Sequence, residues 1–456
     1  MDHSEQLGQG RIAHLIFKFS IPAVIGMVVH SVYNIVDRIY IGWSVGGLGI
    51  AGITVVFPIM LLLMAFGTLV GLGANALISI RLGEQRKDEA ELVMGNGMVL
   101  LILISLIISA SGLIFMDPLL RFFGASSSIL PYARDYMGII LLGSVAQSIS
   151  FGMNNFIRAE GNPRTAMFTM LIGAFLNIIL DPIFIFALGM GVRGAAIATV
   201  ISQAVSAVWV LSYFLRGKST LKIRVKNFRL HKAIVGRILI IGSPPFAKHI
   251  GNSGLMVLLN NSLLLYGGDL AISAMGIIHS ISTLIIMPIF GISQGIQPIV
   301  GYNYGAKRYD RVLETLKLAV LAATAVGSAG FIVIMLFPGW LIGLFSGNDP
   351  ELIKIGVNGL RTFMALLPVV GFQVVCSNFF QAIGKPKQAM FLSMSRQFIL
   401  LIPAILILPR YMGLPGVWTA VPVADVGSSL LTLYGVLNEM RIQKNILLAN
   451  SGLTGK

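Results

Sequence analysis

Charge is what this sequence has least of. Only 11% of its 456 residues are Asp, Glu, Lys or Arg, against about 25% in a typical soluble chain. That shortage excludes an ordinary water-soluble enzyme. Cysteine is almost missing too. Cys376 stands alone within an apolar run, so no intramolecular disulfide is possible, and the redox compartment stays open. The six histidines are scattered, and no His/Cys/Glu group has metal-ligand spacing. There is no P-loop, so ATP does not drive the chain directly, and nothing else reads as an enzyme or calls for a cofactor. The alternating pattern of a membrane barrel is absent. The N-terminus carries Asp2 and Glu5 but no small-residue cleavage site, so the first apolar segment is expected to stay as an anchor.

What is present is length and apolarity. Hydrophobic residues make up 56% of the chain, and the mean hydropathy is +0.86. Runs of roughly 20 apolar residues, enough to cross a bilayer, recur about twelve times. They lie near 15–40, 50–80, 92–116, 130–156, 164–188, 192–215, 237–265, 270–301, 312–338, 353–381, 388–409 and 415–438. In lipid the backbone must satisfy its own hydrogen bonds, so these segments are expected to be helices. The net charge of +15 does not signal nucleic acid, because every second gap between spans holds most of the basic residues. The richest gap has Arg216, Lys218, Lys222, Arg224, Lys226, Arg229, Lys232 and Arg237, whereas the first and seventh gaps have none. This pattern places both termini in the cytoplasm, with the basic excess facing anionic lipids of the inner leaflet.

The sequence repeats itself. NNFIRAEGNPRTAMF (Asn154–Phe168) returns as SNFFQAIGKPKQAMF (Ser377–Phe391), about 223 residues later. RLGEQRKDE (Arg81–Glu89) is answered by NYGAKRYDR (Asn303–Arg311), GVRGAAIATV by GLPGVWTAVP, and Pro22 by Pro244. The expected architecture is an all-α polytopic membrane protein of 12 transmembrane helices in two pseudo-symmetric six-helix bundles. The N-lobe is 1–220, the basic cytoplasmic linker 221–236 and the C-lobe 237–456. Each half has an even number of spans, so both enter the membrane in the same direction, as in parallel-repeat transporters. A duplicated membrane scaffold or enzyme shares that layout.

Polar residues inside the spans narrow the choice. A charge at a helix centre costs about 2.5–3.5 kcal/mol even on the lenient insertion scale. Asp181 bears that cost within NIILDPIFIF, and Asn177 shares its face at i, i+4. Pro182 donates no backbone hydrogen bond, which frees a carbonyl near residue 178. Thr199 lies in the small-residue stretch GAAIAT of the next span, and Asp37 in the outer part of the first. Together they offer oxygen ligands for Na⁺, or two acids sharing a proton. The bland alternatives are an Asp–Pro helix break and an Asp37–Arg38 ion pair. At an offset of about 222 the twins of Asp181 and Thr199 are Pro403 and Val421, so the oxygen site belongs to the first half. In the second half, Arg396 and Asp425 are expected to pair across the last two helices. Lys248 either snorkels or takes part in transport, and His30 and His279 are expected to be packed or hydrogen-bonded. Pro22 is a candidate hinge in the first span.

Taken together, LNIILDPIFIF, GVRGAAIATVIS, the paired AEGNP and AIGKP turns and the two-by-six layout resemble the MATE (multidrug and toxic compound extrusion) family, nearest its bacterial DinF-like and MepA-like branch. The resemblance runs from Leu15 to about Arg441. It implies efflux of organic, often cationic and amphipathic, drugs or metabolites in exchange for H⁺ or Na⁺ across a bacterial cytoplasmic membrane. It also implies a cation site on Asp37, Asn177, Asp181 and Thr199, with Pro22 as the hinge. A branch with acids in spans seven and ten is not matched, because span seven carries Lys248 and span ten has no acid. Met60, Met64, Gln147, Met153 and Asn154 are candidates for the substrate cavity, thioethers being adaptable contacts. The expected partners are small-molecule substrates and membrane lipids, with the chain a monomer. The alternative function is a flippase for a lipid-linked precursor.

Overall fold

The computed structural model describes residues 5–45, 47–217, 219–346 and 350–450. Among them no strand occurs, and helices follow one another almost without interruption. The first half contains Ile12–Val45, Gly47–Gly83, Lys87–Ile114, Leu130–Ala159, Pro163–Pro182 and Gly191–Leu215. The second opens with Lys232–Gly305, sharply bent at Gly268, whose φ of 65° suits a residue without a Cβ. Then come Tyr309–Leu336, the pair Pro350–Phe363 and Leu367–Ala382, a helix running from Pro386 to Met412 through a π-helical stretch, and Leu414–Asn450. Among the described residues, ten helices are long and apolar enough to cross a membrane, and the pair bent by 49° makes an eleventh. The remaining span expected near 237–265 is the front of Lys232–Gly305 and carries Lys248, His249 and Asn252.

The repeated motifs are helix stops and starts. Gly161 (φ 97°) and Gly384 (φ 72°) end one helix, and Pro163 and Pro386 begin the next. Glycine just past a helix and proline at its first turn is the favoured asymmetry. Asn162 accepts a bond from the Thr165 backbone N–H at 3.2 Å, capping Pro163–Pro182. The other repeated turn puts two non-glycine residues, Gln85 and Lys307, at positive φ (62° and 58°) in matching places.

Packing divides the chain into two units. One holds the described residues up to Gly10 together with Ile25–Phe246, and the other holds Arg11–Val24 with the described residues from Ala247 onward. Each leading helix therefore changes unit just after its proline, Pro22 in one and Pro244–Pro245 in the other. Glycines make these stems fit closely. In the second unit an added Cβ at Gly295 would lie 2.7 Å from Ser20 Cα. In the first, Gly73 abuts the Ile238 carbonyl, and Gly242 the Leu69 carbonyl. Gly73 corresponds to Gly295 in the repeat, and Gly242 to Ser20.

The stretch between the halves is held in place. Asn96, fully buried, donates to the carbonyls of Asn227 (3.1 Å) and Arg229 (3.2 Å) and accepts from the His231 N–H at 2.8 Å. Glu91 accepts from the Lys222 N–H (3.1 Å) and pairs with Arg224 (2.9 Å). Glu160 accepts from Ser219 Oγ (2.5 Å) and the Leu221 N–H (3.3 Å).

Candidate cation site in the first half

Three of the four residues singled out in the sequence meet directly. Asn177 Nδ2 donates to Asp181 Oδ1 at 3.1 Å and to Thr199 Oγ1 at 3.4 Å. The i, i+4 spacing on Pro163–Pro182 puts Asn177 and Asp181 on one face, and Gly191–Leu215 brings Thr199 to it. The small residues of that second helix allow the approach: a Cβ at Gly194 would sit 2.7 Å from the Phe184 carbonyl. Asp37, on Ile12–Val45, is near enough to Asp181 for their charges to repel. All four side chains are buried, Asp181 completely.

The Asp–Pro step does not end the helix. The chain continues from Pro182 into a π-helical turn, Ile183–Ala187, the kind of distortion common at functional sites. Asp181 does not cap a helix start; its only donor among the described residues is the Asn177 amide. Asp181 Oδ2 and Asn177 Oδ1 are buried without a donor. Buried oxygens without donors are rare in folded proteins, and these two belong to side chains already hydrogen-bonded to each other. The arrangement fits a proton, which would turn one carboxylate into a donor, or a small hard cation taking oxygen ligands. It does not fit a multidentate transition-metal centre, since no group of three or more His, Cys, Asp or Glu side chains forms one among the described residues.

The other sequence candidates are placed as follows. Pro22 lies inside Ile12–Val45, two residues before that helix changes unit. Met60 and Met64 are half-buried on Gly47–Gly83, and Gln147 is half-buried with its Oε1 lacking a donor. Met153 is fully buried, and Asn154 donates to the Ala166 carbonyl at 2.6 Å, so neither reaches a surface in this conformation. The side chains of His30 and Arg38 lie outside the described residues, and His279 is on an exposed helix face. Arg396 Nε sits 2.5 Å from Asp425 Oδ1, forming the expected pair.

A duplicated all-helical membrane protein with acceptor oxygens buried inside one half has the architecture of a secondary transporter. The MatE family model matches residues 22–183 and 250–407, one block in each half. The chain belongs to the MATE family of membrane transporters. It is 30% identical over 435 residues to the multidrug export protein MepA of Staphylococcus haemolyticus (strain JCSC1435), covering 94% of this chain and 95% of that one. An outward-facing multidrug resistance MATE transporter of the MOP superfamily superimposes with a TM-score of 0.92 at 27% identity, covering 96% and 98% of the two chains. A MOP superfamily transporter from Pyrococcus furiosus Vc1 does so with a TM-score of 0.91 at the same identity and coverage.

Proposed function

We propose that this chain is a cation-coupled antiporter that exports organic, cationic amphipathic drugs or metabolites from a bacterial cytoplasm by alternating access. Asp37, Asn177, Asp181 and Thr199 form its H⁺ or Na⁺ site, and Pro22 is its hinge. The observation that carries this reading is the pair of orphaned oxygens, Asp181 Oδ2 and Asn177 Oδ1, beside a second buried carboxylate. Two carboxylates cannot both stay charged in a low-dielectric interior without a compensating cation. Uptake of a proton or Na⁺ relieves their repulsion and favours one conformation. Its release restores the charge and favours capture of a cationic compound. Met60, Met64 and Gln147 would line the path of that compound, and the protein works as a monomer with both termini in the cytoplasm.

The test is dye efflux from proteoliposomes, wild type beside Asp181→Asn, under a pH gradient and a Na⁺ gradient imposed separately. Transport driven by one gradient and lost in the variant supports the site. Equal transport by both proteins contradicts it.

A further inference from the structure

The second unit holds a polar cluster that the cation site does not use. Lys248 and Asn252 lie one turn apart on the front of Lys232–Gly305 and share a face. Lys248 Nζ sits 5.0 Å from the centre of the Phe290 ring, a favourable cation–π distance. Arg396 and Gln397 enter from a π-helical stretch, Ser395–Leu401, where a widened turn re-aims side chains. Gln397 Nε2 donates to Asn252 Oδ1. Gln373 Nε2 donates to the Asp425 carbonyl (2.7 Å) and to Ser429 Oγ (2.5 Å).

Charge in this cluster is unbalanced. Asp425, the single carboxylate, is buried and already engaged by Arg396. Lys248 faces Arg396 closely enough to be repelled by it, has His249 beside it, and forms no ion pair with any carboxylate among the described residues. The cluster therefore carries one more positive than negative charge. Gln397 is 2% exposed, and its Oε1 has no partner. Rotating both amides of the Gln397–Asn252 pair would present either an oxygen or an N–H there. None of this is inherited from the repeat. The first-half counterparts of Lys248, Arg396, Asp425 and Phe290 are Gly26, Ala174, Gln203 and Thr68. A device needed only to hold six helices together would be needed in both halves.

We propose that Lys248, Arg396 and Gln397 form an anion-recognising subsite for an oxyanion, a carboxylate or phosphate, carried by a bound amphiphile. The inference rests on the transport reading and extends its substrates to zwitterions. The cation site handles the coupling ion in one half, and this subsite handles a negative group in the other.

The test is fluorescence polarisation with the purified full chain and two probes, a cationic rhodamine ester and the corresponding free carboxylate. Wild type is expected to bind both. Lys248→Met should weaken the carboxylate about tenfold, the scale of one lost charge-assisted bond, and change the ester less than about twofold. Lys248→Arg should restore carboxylate binding. The inference is overturned if wild type does not bind the carboxylate, or if Lys248→Met weakens both probes equally, which is the signature of a packing role. Competition by an anionic phospholipid in the same micelles separates the two sources of oxyanion. Displacement of the carboxylate assigns the subsite to a lipid headgroup as well, and no displacement assigns it to the exported compound. Ester efflux in proteoliposomes is read separately. Its absence would refute the transport reading without touching the binding result.

Discussion

Asp181 keeps a carboxylate where leucine would pack, and its burial separates stability from function. Asp181→Asn preserves shape and removes a charge that costs free energy to bury. The variant is expected to melt no lower than wild type in detergent while losing gradient-driven transport. A lower melting temperature would return Asp181 to a structural role. Glu160 lies in the turn between two spans and gives a different prediction. Burial pushes its carboxyl up to about 7 against the opposing bonds from Ser219, Tyr213 and the backbone of Leu221 and Thr220. The folded protein then holds this proton more tightly than the unfolded chain. The contribution is complete below about pH 4.5 and is lost as pH rises through about 7. Wild type should lose on the order of 2 kcal/mol of stability between about pH 5 and 8 that Glu160→Gln does not lose. Thermal melting of both proteins across that range checks it. Asp181, Asn177 and Thr199 were legible in the sequence because a charge in an apolar run is costly and i, i+4 spacing fixes a shared face. Glu160, Glu91 and Asn96 were not. Each reads as an ordinary turn or helix-end residue until the linker folds back onto it. The one available signal was that Glu160 has Ile383 as its twin.

At the scale of elements, the helix stops and starts were written in the repeated Gly-x-Pro turns, and the structure places them there. The π-helical stretches were invisible, because a single wide turn leaves no periodicity to read. The exchange of the leading stems between units was also invisible, since it depends on which distant glycine each stem meets. Gly242 provides a test. Any Cβ there collides with the Leu69 carbonyl, a backbone atom that cannot rotate away. Gly242→Ala is expected to cost about 1–3 kcal/mol, as overpacking does, seen as a lower melting temperature. Gly254, with open space around it, should tolerate the same change. Pro22 marks where the first helix passes from one unit to the other. Pro22→Ala is expected to slow transport while leaving cation binding intact. Transport at the wild-type rate would remove Pro22 from the mechanism.

For the whole molecule, class came from composition alone: too little charge for water, too many long apolar runs for anything but a bilayer. The duplication came from repeated motifs, and the family from their order. What sequence could not supply is which polar residues converge, because convergence in a helical bundle is set by helix rotation and crossing. That is why Arg396 and Asp425 could be paired from the sequence, while Phe290 beneath Lys248 could not. The two halves share a backbone plan but not an electrostatic one. In the first, Asp37 and Asp181 are buried near each other; in the second, the buried Asp425 is engaged by Arg396, and Lys248 leaves an excess of positive charge. In the proposed mechanism the acidic site exchanges its cation against bound compound. The most direct measurement is cation release when a cationic dye is added to the purified protein, followed with a pH indicator in weak buffer and with a Na⁺ tracer. Wild type is expected to release H⁺ or Na⁺, and that release is expected to be lost in both Asp37→Asn and Asp181→Asn. Dye binding with no release of either ion, or undiminished release in the two variants, would contradict that mechanism.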